Sequence, residues 1–160
     1  LSMDDSFGNS WLPKGIELAG DSVPEICLDT TVSVFNRMLA IIPVLHQKGN
    51  MWQIFFENPD DNQKMNATYG EFDHWNTDLS EHILEIDEYW SDFRKSTHAV
   101  NQPVLFYYGR TDWAIGPEHY RGVAFPDMIL WGSDTGHMPF FGNQKDLLKA
   151  IDAYLKKFRM

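Results

Sequence analysis

Pro103-Val104-Leu105-Phe106-Tyr107-Tyr108-Gly109-Arg110-Thr111-Asp112-Trp113 is the stretch that decides the fold. Val104 to Tyr108 is apolar at successive positions, with no polar residue between. That pattern belongs to a strand covered on both faces, as in the interior of a parallel sheet. Gly109-Arg110-Thr111-Asp112 then ends it with turn-forming residues. Asp127 to Trp131 reads as a second short strand, and Gly132-Ser133-Asp134-Thr135-Gly136-His137-Met138-Pro139 is the loop that leaves it. Pro117 through Gly122 suits a short helix between the two, with Pro117 in its first turn. About 16 residues link the strands, more than the ~10–12 that a parallel crossover needs. Asn143 can cap a last helix whose apolar stripe is Leu147, Ile151, Tyr154/Leu155 and Phe158. Lys156, Lys157 and Arg159 lie in its final turn, where cations favour the helix dipole. The order strand–helix–strand–helix predicts an α/β arrangement over residues 99–160.

The preceding residues, 1–98, follow different rules. The first 25 carry Gly, Pro, Asp and Ser at short intervals and predict irregular chain. From Asp29 a helical pattern places Val32, Phe35, Leu39 and Ile42 on one face, with Pro43 expected to end or kink it. Met51-Trp52-Gln53-Ile54-Phe55-Phe56 predicts a short aromatic helix ending near Asn58-Pro59, and Asp60 to Gly70 predicts polar turns. A further helix is expected from Leu79 to Phe93, with Asp78 or Ser80 as its cap. This half is expected to be helical with long loops.

Composition narrows the function. The chain has 160 residues and a net charge of −10, with 43% hydrophobic and 14% aromatic residues. The apolar content suffices for a packed core and argues against wholesale disorder. An acidic chain without a basic stripe is poorly suited to nucleic acid, whose phosphates need Lys and Arg, or to an anionic membrane surface. No apolar stretch approaches the ~20 residues of a membrane-spanning helix. The one cysteine, Cys27, cannot form an intrachain disulfide, so nothing demands an oxidising compartment, and the expected location is the cytoplasm. Cys27 is expected to be a buried small apolar residue.

Two strands and two helices cannot bury so apolar a strand on both faces and edges, since small isolated sheets are marginal and bare edges pair with other chains. Further strands from an upstream segment, or a homo-oligomeric partner, are therefore expected. The opening Leu1-Ser2-Met3 lacks an initiator Met, as expected of a start internal to a longer polypeptide or of a processed terminus.

Asp112 and His137 stand on loops at successive strand ends. That is the order of the second and third members of a Ser…Asp…His triad, but no Gly-x-Ser-x-Gly precedes them. The strand PVLFYYG, the loop GRTDWAIGP, the segment MILWGSDTGHMPF and the helix NQKDLLKAIDAYLKKF together resemble the C-terminal portion of the α/β-hydrolase fold. In that resemblance residues 1–98 occupy the position of the helical lid inserted before the acid-bearing strand, and the part with the nucleophile is absent. The whole chain is similar in character to the proline iminopeptidase-like hydrolases.

The resemblance implies Asp112 as the triad acid and His137 as the general base. Asp134 is the competing acid, and Ser133 lacks the elbow that exposes a nucleophile. It implies amide or ester hydrolysis, leaning to aminopeptidase activity on a small peptide or amide with a free N-terminus. Esterase or lactonase activity, or a non-catalytic binding module, are the alternatives. The isolated chain is expected to be inactive, and no metal or organic cofactor is implied. Trp113 and Phe140 would wall the pocket or simply pack. Trp52, Phe55, Phe56, Phe72 and Trp75 would line an apolar substrate cavity or form lid core. In the iminopeptidase-like relatives lid carboxylates hold the substrate amine; Glu57, Glu71, Asp73 and Glu81 are candidates by location. His74 and His82 lie among acidic residues without the spacing of a compact zinc motif, and a solvated face is the expected reading.

Overall fold

The computed structural model describes residues 6–71, 82, 86 and 91–158. The expected helix over 79–93 falls mostly outside them, as do Phe72, Asp73, His74, Trp75, Asp78, Ser80 and Glu81; Ile86 and Phe93 are described and exposed.

The first elements are helical where irregular chain was expected. One π-type turn, Phe7–Trp11, runs into α1, Leu12–Ala19. Pro13 does not oppose this, because it sits in the first turn, where a missing N–H is no loss. Gly15 is there for close approach: a Cβ would meet the Trp11 ring at 3.2 Å, with Ile41 and Leu45 just beyond. Turn-forming composition therefore misled, because these small residues serve a helix–helix contact.

Helix α2, Val34–Lys48, is the partner. Ser33 caps it by accepting from the Asn36 amide at 3.3 Å, and Gly49, at φ +66°, ends it in the left-handed conformation that glycine adopts freely. Pro43 lies inside α2 and does not end it. An interior proline costs about 3 kcal/mol. Ile41 and Leu45 flank it and are both fully buried, each contributing about 1.5–3 kcal/mol, so continued burial prevails. The buried stripe is Met38, Ile41 and Leu45, one step round from the expected face, and Leu39 is exposed. The docking of α1 sets that rotation.

A 3-10 turn, Met51–Ile54, replaces the expected aromatic helix. The polar segment after it is helix α3, Pro59–Gly70. Local signals suffice there. The Asn58 side chain accepts from the Asp61 amide at 3.1 Å, Pro59 opens the helix, and Asp60 and Asp61 face its positive end. Trp11, Leu12, Ala19, Cys27, Met38, Ile41, Leu45 and Ile54 form one dry core, which Ala114 joins from the other half of the chain.

Strands β1, Val104–Gly109, and β2, Met128–Ser133, pair in parallel from Val104↔Met128 to Gly109↔Ser133. Between them lies a 3-10 turn, His119–Gly122, in place of the expected short helix. A single helical turn, α4, Pro139–Gly142, precedes α5, Gln144–Phe158. Asn143 caps α5 by accepting from the Asp146 amide at 3.3 Å. Helix α5 lies on one face of the pair. Tyr154 Oη donates to the Pro103 carbonyl at 2.9 Å, and Tyr107 Oη and Trp131 Nε1 both donate to Asp146 Oδ2, at 3.2 and 3.0 Å. His119 and Tyr120 pack over Phe106 and Tyr108 on the other face. Both strands stay half-buried, and Leu130, Leu148, Ile151 and Leu155 are exposed. Among the described residues no helix is long and apolar enough to cross a membrane.

Candidate active site

The parallel register puts the ends of β1 and β2 side by side, so the loops that leave them must run together. Arg110 N donates to the Ser133 carbonyl at 2.9 Å and Thr111 N to the Thr135 carbonyl at 3.2 Å. The approach is too close for side chains: a Cβ on Gly109 would strike the Thr135 carbonyl, and one on Gly136 would strike the Phe55 carbonyl. Glycine at both positions lets the loop after β1, the loop after β2 and the chain at Phe55 close on one another.

Asp112 and His137 meet at that junction. His137 Nδ1 lies 3.1 Å from Asp112 Oδ2. A carboxylate only accepts, so the ring N–H donates, and Nε2 is left without a hydrogen bond to any described residue. Asp112 is 3% exposed. Its second oxygen, Oδ1, accepts from the Ala114 and Ile115 amides at 3.1 and 3.2 Å, which fixes the carboxylate as well as satisfying it. The competing acid, Asp134, points away. Its side chain is 86% exposed and bonds Arg110 at 2.7 Å. Ser133 is buried beneath the loop, where its hydroxyl accepts from Asn143 Nδ2 at 3.3 Å.

Residues from the first half of the chain hold this junction as well. His137 N donates to the Phe55 carbonyl at 2.7 Å, and the Phe55 ring stands 6.1 Å from the imidazole, centroid to centroid. Ser10 Oγ donates to the Trp113 carbonyl at 3.0 Å. Glu57 and Thr111 share a short hydrogen bond one residue from Asp112. These contacts escaped sequence reasoning, although Phe55, Glu57 and Trp113 stood among its candidate residues. They join residues more than fifty positions apart, and spacing carries no trace of them.

Three recesses surround the junction. An apolar chamber of about 410 Å³ is lined by Phe7, Trp11, Met38, Ile42, Met51, Phe55, Ala114 and Ile115, with His137 the one polar side chain. A second recess, of about 260 Å³, lies over the strand ends, where Asp112 and His137 line it together with Tyr108, His119, Phe140 and Leu147 among others. A third, of about 180 Å³, is formed by Lys14, Trp52, Gln53, Phe56, Glu57, Thr111 and Trp113. The expected substrate residues therefore separate. Phe140 stands with the pair, whereas Trp52, Glu57 and Trp113 share the third recess, where Lys14 lies 5.4 Å from the Trp113 ring centroid. Glu71 is exposed at the C-terminal end of α3 and lines none of the three.

A second polar cluster supports the His loop from below. Asp146 receives Tyr107 and Trp131, with the Ser133 hydroxyl beside it, and these donors hold its carboxyl below the usual carboxylate range. Burial and the neighbouring Asp146 charge act with it to raise the Tyr107 phenol. No family model, curated protein or solved structure matches this chain.

Proposed function

We propose that residues 99–160 carry the acid and base of a serine-type hydrolase of the α/β-hydrolase kind, with residues 6–71 as part of its lid. The observation that carries this reading is the buried Asp112 carboxylate, fixed by two backbone amides and placed 3.1 Å from His137 Nδ1. Held this way, the imidazole is locked in the tautomer whose Nε2 can take a proton.

The chemistry follows from that lone pair. A serine hydroxyl adds to the substrate carbonyl and gives its proton to Nε2. The leaving alcohol or amine takes that proton as the bond to the acyl carbon breaks. Water then adds to the acyl carbon, passes a proton to Nε2, and the acid departs as the serine regains its proton. Asp112 stabilises the imidazolium at each stage without becoming protonated. Serine and oxyanion donors belong, in this reading, to an upstream segment that also completes the sheet.

The test is turnover of activated esters and of amides by the polypeptide extended upstream. His137→Ala should lower kcat by about 10³-fold or more. Hydrolysis that survives this change would reject the assignment.

A binding module is the second reading. It is favoured by the commitments of the nearby hydroxyls, since Ser10 donates to the Trp113 carbonyl and Ser133 sits under the loop. Burst kinetics with an activated ester on the 160-residue chain address the two together. A stoichiometric acyl-enzyme would place the nucleophile within this chain. No burst here and no turnover by the extended polypeptide would favour binding.

A further inference from the structure

We infer that the apolar chamber beside His137 takes the acyl side of an uncharged substrate, an aliphatic or aryl-alkyl group without a free ammonium. The inference rests on the hydrolase reading above and names the substrate class for that site.

The chamber's walls come from four places in the chain. Phe7 and Trp11 enter from the first turn, Met38 and Ile42 from α2, Met51 and Phe55 from the following turn, and Ala114 and Ile115 from the acid loop. All eight are apolar. A volume of about 410 Å³ falls within the ~300–1,000 Å³ usual for small-molecule sites. An apolar cavity of ~150 Å³ is enough for benzene, so this one has room for a ring with a short chain. Two of its walls are methionines, whose unbranched side chains adapt to guests of differing shape.

Charge decides the class. An ammonium drawn into this chamber would lose its hydration, and the aromatic faces of Phe7, Trp11 and Phe55 would return only part of that cost. None of the described residues that line it is acidic. Asp112, which borders the neighbouring recess, already accepts from His137 on one oxygen and from two backbone amides on the other. Glu57 belongs to the separate recess of Trp52 and Trp113 and is bonded to Thr111. An amine-bearing substrate would therefore have to keep its ammonium outside the chamber.

Two probes that differ only in that group provide the test: 3-phenylpropanamide, which is neutral, and phenylalaninamide, which adds an α-ammonium. Each is titrated into the 160-residue chain carrying ¹³C-methyl methionine. The neutral probe should shift the Met38 and Met51 methyls saturably while leaving Met65 and Met128 in place, and phenylalaninamide should bind at least about tenfold more weakly. Ile42→Trp, which fills the chamber from its α2 wall, should remove the neutral probe's binding while the other methyl signals stay folded. Equal or tighter binding of phenylalaninamide, or shifts that bypass Met38 and Met51, overturns the inference and leaves the catalytic pair untouched. The upstream-extended polypeptide separates the remaining failure. If the neutral probe binds as expected but His137→Ala hydrolyses 4-nitrophenyl 3-phenylpropanoate as fast as the parent, the hydrolase reading fails, and the chamber loses its role as an acyl site.

Discussion

The two halves of this chain are built differently. In residues 6–71, α1 and α2 close on a dry core, and Leu12, Ile41, Leu45 and Ile54 are all but inaccessible. In residues 99–158, the strands are half-exposed and helix α5 shows Leu148 at 64% and Leu155 at 43%. Ala114 and Ala150 are the buried apolar side chains of that half. The half that carries Asp112 and His137 thus has the smaller core, and its loops are steadied by the other half: by the Phe55 carbonyl, by Ser10, and by the insertion of Ala114. The contacts that hold the pair's loops come partly from residues 6–71, which supply neither member of the pair.

The sharpest way to probe this division is to change the pair without touching residues 6–71. In the polypeptide extended upstream, Asp112→Asn should lower kcat by about 10⁴-fold while thermal unfolding stays near that of the parent. Near-full activity in that variant would remove Asp112 from the mechanism.

The contrast in packing is measured by denaturant unfolding of two leucine truncations. Leu45→Ala should cost about 2–5 kcal/mol, because it hollows a buried site. Leu148→Ala should change stability by less than about 0.5 kcal/mol while its face stays in solvent. A cost at Leu148 comparable to that at Leu45 would mean that another segment or a second copy covers α5, and the contrast between the halves would collapse.

The seam is probed by Gly136→Ala. The new methyl must push the His loop off the Phe55 carbonyl. A displacement near 1 Å is enough to cost about 10²-fold in kcat with little change in KM. Unchanged kinetics would show that the Phe55 contact does not position His137.

The smallest effect is expected at Asp146. Its carboxyl titrates below the ordinary value of 3.8 because Ser133, Trp131 and Tyr107 donate to it. A depressed folded-state pKa contributes stability above the unfolded value, and that contribution fades as pH falls through the folded one. The stability difference between the parent and Asp146→Asn should therefore be full near neutral pH and shrink below about pH 4. A difference that stays constant with pH would show that the ionised form is not what the cluster holds.

Legibility followed the range of the interactions. The parallel pair was readable because a run such as Val104 to Tyr108 has few other uses, and the loop positions of Asp112 and His137 came with it. Caps were readable too, as at Asn143. Helix α1 was not, since Pro13 and Gly15 are turn residues by composition and their helical role exists only against α2. Helix α3 was missed for the opposite reason. Its signals, Asn58 and Pro59, are local, but it buries little apolar surface, so no hydrophobic period marks it. The stripe on α2 was displaced because Phe35, Leu39 and Ile42 have the right spacing, while the docked partner selects Met38, Ile41 and Leu45.

By itself the sequence determined which residues could serve as acid and base, and that each stands where a strand ends, because backbone periodicity and turn chemistry are local. It left Asp134 as a rival, the candidate substrate residues as one group, and the amine-binding role open to any lid carboxylate. Only the tertiary structure decided that Asp112 faces His137 while Asp134 turns to Arg110, that Trp52, Glu57 and Trp113 stand apart from the pair, and that no described residue lining the chamber beside His137 is acidic. Those outcomes depend on how separate segments pack, and packing is set by contacts between residues that sequence spacing does not connect.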